Sequence, residues 1–120
     1  MNVQVPFAAG AVYSTVEDMY LWDRAMFTES VLKKASWDKM FTPFLGSYGY
    51  GWRIDTIFNR KRIHHGGGHV GFQAHMARYV DDDACIIILT NMMPVALIEI
   101  DRDLAAILFG KSYGLPKVEK

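Results

Sequence analysis

Chemistry is concentrated in the stretch Arg62-Ile63-His64-His65-Gly66-Gly67-Gly68-His69-Val70-Gly71-Phe72, where four glycines and three histidines fall within the nine residues from His64 to Phe72. Glycine costs backbone entropy, so such a cluster marks a place where the backbone must come close to a ligand or another strand. The histidines add groups that change charge near neutral pH. One reading is a dinucleotide fingerprint, because Gly66 to Gly71 fits G-x-G-x-x-G through Gly66, Gly68 and Gly71. That motif needs an apolar strand before it and a helix after it. Here Lys61-Arg62-Ile63-His64 is mostly polar, and Phe72 to Tyr79 is too short for a parallel crossover. A second reading is a metal site from His64, His65, His69 and His75. Zinc wants three or four rigidly held ligands. Adjacent strand residues such as His64 and His65 point to opposite faces, which keeps them out of one site. No cysteine pair helps, and Asp81 to Asp83 belong to a turn. The plainer reading of His64, His69 and His75 is surface or hydrogen-bonded, and no metal or organic cofactor is expected.

The elements that must position this stretch follow from periodicity. Gly10 and its neighbours from Pro6 to Tyr13 read as loop or short extended chain. Ser14-Thr15-Val16-Glu17 matches a capping box with Ser14 as N-cap, and Glu17 and Asp18 suit the positive end of a helix. Val16, Met19, Tyr20, Met26 and Phe27 recur at helical spacing, predicting a helix over Thr15 to Phe27. A shorter helix is predicted from Ser36 to Phe41, stopped by Pro43. Alternation then takes over. Tyr48, Tyr50, Trp52 and Ile54 fall on one strand face, opposite Gly49, Gly51, Arg53 and Asp55. After the polar turn Phe58 to Lys61 come strands at Arg62 to Gly67 and Phe72 to Val80. The turn Asp81-Asp82-Asp83 leads to a fourth strand, Ala84 to Thr90, apolar on both faces and so suited to a central, covered position. A last helix is predicted from Val95 to Phe109, with Leu97, Ile100, Leu104, Ile107 and Leu108 on one stripe and Gly110 as its C′ residue. Short turns make the strands an antiparallel meander. The fold class is α+β, a sheet of about four strands flanked by helices.

Composition narrows the function. The 120 residues suffice for one domain with a core, and the formal net charge is zero, which argues against a nucleic-acid partner. The single cysteine, Cys85, permits no intrachain disulfide and leaves the compartment open. The N-terminus has neither basic region nor long apolar run, so no signal peptide is expected there. The longest apolar run, Ala84 to Leu89, is too short to span a membrane. The tail Lys117 to Lys120 is expected to fray.

Several segments, in order, resemble the C-terminal part of the β-lactamase-related serine hydrolases, a family of class C β-lactamases, D-alanyl-D-alanine carboxypeptidases, penicillin-binding-like proteins and esterases. They are Ala8 to Asp18, Met40-Phe41-Thr42-Pro43, Tyr48-Gly49-Tyr50-Gly51-Trp52, His65 to Phe72, and Ile86 to Asn91. The resemblance implies a partial β-lactamase/transpeptidase-like fold and a parent reaction of acyl transfer through a serine ester, on a β-lactam, D-Ala peptide or ester. The family's third motif, Lys-Thr-Gly or His-x-Gly, looks like His65-Gly66-Gly67 here. By that likeness His65 would hold a substrate carboxylate in a groove, Gly66 and Gly67 would keep the strand wall low for the acyl substrate, and the Gly68 N–H would be one oxyanion-hole donor. The family's other motifs are not matched in this way. There is no Tyr-x-Asn, and Ser30-Val31-Leu32-Lys33 and Ser36-Trp37-Asp38-Lys39 fit Ser-x-x-Lys only by pattern, in a region where the family has connecting helices. Ser36 reads as an N-cap and Lys39 as solvated. The chain is therefore read as a C-terminal fragment or truncated relative, inactive alone. A non-catalytic binding module using the same groove is the rival from another class. Family members are often secreted or in the cell envelope.

A further expectation concerns assembly. In a simple meander Ala84 to Thr90 is the last strand, and neither proline nor charge blunts its edge. The family's missing neighbours are N-terminal strands. A homodimer or strand-swapped oligomer is expected to bury this edge, unless Asn2 to Pro6 fold back onto it.

Overall fold

The computed structural model describes residues 10–115. The expected frayed tail at 117–120 and the fold-back of Asn2 to Pro6 lie outside the described residues. The order is helix α1 (Val16–Ala25), helix α2 (Lys34–Met40), strands β1 (Arg53–Ile57), β2 (Arg60–His69), β3 (Phe72–Tyr79) and β4 (Ala84–Thr90), and helix α3 (Leu97–Leu108). The strands form one antiparallel sheet in the order β1-β2-β3-β4, the expected meander.

Local chemistry sets the helix starts one or two residues from the expected places. Thr15, not Ser14, caps α1: it is extended, and its hydroxyl accepts from the Asp18 N–H at 3.1 Å. The Ser14 hydroxyl donates instead to the Thr15 carbonyl. α1 stops at Ala25, where the Thr28 hydroxyl donates to the freed carbonyl at 2.9 Å. α2 starts ahead of Ser36 because the Glu29 carboxylate accepts the Lys34 N–H at 3.0 Å. Ser36 is thus inside the helix and not its cap.

The first strand is shorter than the alternation predicts. Gly46 and Gly51 take positive φ, and Tyr48 makes isolated bridges to Leu45 and Arg53, so residues 45–52 form a compact turn. Trp52 and Ile54 are buried as expected, whereas Tyr50 is exposed. β2 conversely begins at Arg60 and runs through the glycines to His69. The two-residue turns Phe58-Asn59 and Val70-Gly71 have positive φ at both positions, the backbone twist that tight hairpins favour.

The sheet separates two cores. On one face α1 and α2 pack Met26, Trp37 and Phe41 against Trp52, Ile54, Ile63 and Met76. On the other, Ala105 of α3 meets Ala77, Tyr79 and Ile86. The expected apolar stripe of α3 is not the face that packs. Leu97, Asp101, Ala105 and Ala106 are buried, while Leu104, Ile107 and Leu108 are largely exposed. The cause is a charge: Asp101 reaches under the sheet to Arg62 at 2.6 Å, which fixes the helix's rotation and brings the small residues to the interface. Gly110 ends α3 as expected, at φ +63° with the Lys111 N–H on the Ala106 carbonyl at 2.7 Å. β4 is at the sheet's edge among the described residues, and of its residues only Ile86 is buried. The central, doubly covered position expected from its composition is not what this chain builds.

A buried ion pair ties α1 to the sheet. Arg78 of β3 donates to Asp23 at 2.7 Å, both nearly inaccessible, and also contacts Asp83, which Arg24 holds from outside at 2.6 Å. The Arg78 guanidinium lies 4.5 Å over the Phe27 ring. Burial pushes the Asp23 carboxyl upward against the pull of Arg78, and it pushes the neighbouring Cys85 thiol up to about 12. Removing one partner leaves an uncompensated buried charge. Arg78→Met is expected to cost about 3–5 kcal/mol in urea unfolding, and adding Asp23→Asn to recover part of it. Strictly additive losses would count against the pair.

Candidate functional site at the glycine strand

Alternation along β2 divides the glycine–histidine stretch between the two faces. Ile63, His65, Gly67 and His69 take the side of α1 and α2; Arg62, His64, Gly66 and Gly68 take the side of α3. The expected separation of His64 from His65 therefore holds. His65 lies on the exposed part of its face, and its Nε2 is 2.9 Å from the Tyr48 hydroxyl, with the rings edge to face. Arg53 sits over the Tyr48 ring. Tyr48 and His65 thus meet on the face that carries the bare backbone of Gly67, where a Cβ would touch nothing within 4 Å, while Arg53 is the register partner of His64. Gly66 is confined instead: a Cβ there would be 3.0 Å from His75 Nδ1 and 3.2 Å from the Ala74 carbonyl.

The Gly68 N–H can be placed from the register. His69 and Phe72 flank the two-residue turn and share its hydrogen bond. Antiparallel pairs alternate, so the next pair, Gly68 with Gln73, is not hydrogen-bonded and Gly68 directs its N–H away from β3. On that side β1 reaches only as far as Arg53, opposite His64. Among the described residues no strand covers this edge of β2 beyond His65.

Beneath the strand is a buried charge network. Arg62 donates Nε and one terminal nitrogen to Asp55, at 2.9 and 2.6 Å, and the other terminal nitrogen to Asp101. His64 Nε2 is 3.3 Å from Asp55, and His75 Nε2 is 3.4 Å from Asp101. Burial alone would raise the Asp55 carboxyl, but the bonds and charge of Arg62, with His64, hold it below the usual range. Burial, reinforced by the adjacent guanidinium, lowers His64. Burial and the Asp101 charge push the Tyr79 hydroxyl up to about 12. His64 and His75 are therefore buried within an ion network and not at the surface, whereas His69 is exposed. Among the described residues no three His, Cys, Asp or Glu side chains gather as metal ligands.

The nucleotide reading fails on geometry. The Gly66-x-Gly68-x-x-Gly71 run ends in a hairpin turn and is followed by β3, so no helix N-terminus meets it. Ser30 is in the α1–α2 loop, hydrogen-bonded to the Thr28 hydroxyl at 2.7 Å, and Ser36, in the first turn of α2, and Lys39 are both exposed, with no hydrogen bond between their side chains among the described residues. Sequence reasoning did not find Tyr48 and Arg53 as neighbours of His65, nor Asp101 beneath it. An acid inside the otherwise apolar stripe of α3 was the available signal for the last.

The fold has a counterpart among known proteins. The chain is similar to a penicillin-binding protein homologue of Pyrococcus abyssi described as octameric, with a TM-score of 0.71 and 24% identity, over 82% of this chain and 25% of that one. That likeness establishes the partial α+β fold. It is also 31% identical over 117 residues to penicillin-binding protein 4* of Bacillus subtilis strain 168, covering 90% of this chain and 26% of that protein. The chain is homologous to part of this Bacillus penicillin-binding protein. It spans about a quarter of the length of the relatives it matches. No family model matches it.

The depressed His64 makes a prediction about pH. Between its folded value and the ordinary histidine value near 6.5 the unfolded chain binds the extra proton, so this group's contribution falls as pH drops through that window. Relative to His64→Gln, the wild-type chain should lose stability from pH 7 toward 5, by at most about 1.4 kcal/mol per pH unit. Denaturant midpoints at both pH values check this, and parallel losses in the two proteins would refute it.

Proposed function

We propose that this chain is the C-terminal portion of a β-lactamase-like serine hydrolase, and that it supplies one wall of the site where a small acyl substrate is cleaved by acyl transfer. The observation that carries the reading is the arrangement around β2: His65 on the open face beside bare Gly67, with the Gly68 N–H directed to an uncovered edge. A substrate carboxylate would meet His65, supported by Tyr48 and Arg53. The acyl group would lie along Gly66 and Gly67. The Gly68 N–H would stand where negative charge develops on the carbonyl oxygen, a role whose loss costs about 10²–10³ in rate in other hydrolases. The nucleophile of such a reaction needs an adjacent base. Ser30 sits in a loop, and Ser36 and Lys39 are exposed on α2 with no hydrogen bond between their side chains among the described residues, so the serine would come from outside these 120 residues.

Two measurements on the chain as it stands test this. In an NMR titration a small carboxylate such as acetyl-D-alanine should shift His65 and Gly68, more weakly at pH 8 than at pH 5.5. Incubation with a penicillin or an activated phosphonate should leave the mass unchanged. Equal affinity at both pH values, or a stoichiometric adduct on Ser30 or Ser36, would overturn the assignment.

Assembly belongs to the same proposal. β4 has one edge unpaired among the described residues and lacks charge or proline to protect it. The Pyrococcus homologue is described as octameric. We therefore expect a homodimer or strand-swapped oligomer that buries this edge, visible by sedimentation over a wide concentration range. A monomer with fast amide exchange along Cys85 to Leu89 would exclude it.

A further inference from the structure

A cavity of about 590 Å³ lies between the α1–α2 loop, α2 and the first half of β2, on the same face as His65 but toward the other end of the strand. Its volume falls in the range of small-molecule sites. Phe27, Trp37, Phe41 and Ile63 form its apolar wall. The Trp37 and Phe41 rings are stacked at 5.8 Å and 13°, and Phe41 and Phe27 at 6.0 Å and 23°. The stack leaves Phe27 as the accessible ring, with only the margins of Trp37 and Phe41 reaching the cavity, an apolar wall on which another planar ring can pack.

The rim carries two lysines and two acids, so its formal charge is zero, but the four are not equally engaged. Lys34 pairs its ammonium with Asp38 at 2.7 Å. Glu29 accepts the Lys34 backbone N–H at the start of α2. Lys61 lines the same cavity and forms no ion pair among the described residues. Asp38 neutralises Lys34, the Glu29 carboxylate is held at the start of α2, and Lys61, without an ion-pair partner among the described residues, stands beside an aromatic wall. We infer that this cavity binds a small planar aromatic carboxylate, its ring against Phe27 and the margins of Trp37 and Phe41 and its carboxylate on Lys61. This does not depend on the acyl-transfer reading.

The test uses the whole chain with 2-naphthoate and its neutral counterpart 2-naphthalenemethanol. The Trp37 indole N–H, which donates to the Thr28 carbonyl at 3.1 Å, gives a resolved reporter at the cavity wall. Naphthoate should shift this signal and the Ile63 methyls, and should bind more tightly than the alcohol. Lys61→Met, an exposed position whose variant is checked for an unchanged melting midpoint, should weaken naphthoate about 3-fold and leave the alcohol unaffected, the size expected of one rim charge. The inference is overturned by unmoved Trp37 and Ile63 signals, by equal affinities for the two compounds, or by shifts confined to His65 and Gly68. It is also overturned if the same signals move with protein concentration alone, which would make a second copy of the chain the occupant.

Discussion

Arg62 is the residue on which the two sides of this molecule depend. A guanidinium taken out of water must be met by acceptors, and here all three of its nitrogens are: two by Asp55 of β1 and one by Asp101 of α3. The three-way contact joins neighbouring strands to a helix that is otherwise attached through small residues. Asp101 is completely buried, so α3 cannot rotate to bury Leu104, Ile107 and Leu108 without stranding that carboxylate. A buried charge in this position sets orientation more than it adds stability, since an apolar replacement of similar volume often does as well energetically.

The same constraint reaches the candidate site through the pleat. Residues facing Asp101 and those facing the open side alternate along β2, so fixing Arg62 and His64 below fixes His65 and Gly67 above. Gly66 completes the coupling, because its missing Cβ leaves room for the His75 ring beside Asp101. A one-residue slip of β2 against β3 would put His65 among the buried charges and Arg62 in the apolar core of α1 and α2. A slip in either direction fails electrostatically, which explains how a strand with three consecutive glycines can hold a defined geometry.

Much of this was legible in the sequence. Alternation and turn chemistry located four strands in their meander, and Gly110 marked the end of the last helix. The glycine strand and its opposed histidines followed from period alone. What periodicity could not supply was the rotation of α3. Counting apolar residues chose Leu104 and Ile107 as the inner face, because an acid such as Asp101 is ordinarily solvated and only its partner 39 residues earlier in the chain reveals otherwise. The Tyr48–His65 contact was hidden for a related reason: Tyr48 seemed one member of an alternating strand, but positive φ at Gly46 and Gly51 folds its segment into a turn.

Two uncovered edges of the sheet now differ in kind. The edge of β2 beyond His65 is bordered by Tyr48, Arg53 and glycine backbone, polar groups that lose little by standing in water. The edge of β4 carries Ile86, Ile87 and Ile88, and behind it the outer face of α3 presents Leu104, Ile107 and Leu108. Apolar strands with open hydrogen-bonding groups favour pairing, and exposed apolar helix faces favour burial. The first edge is thus chemically suited to a reversible small ligand and the second to a protein neighbour.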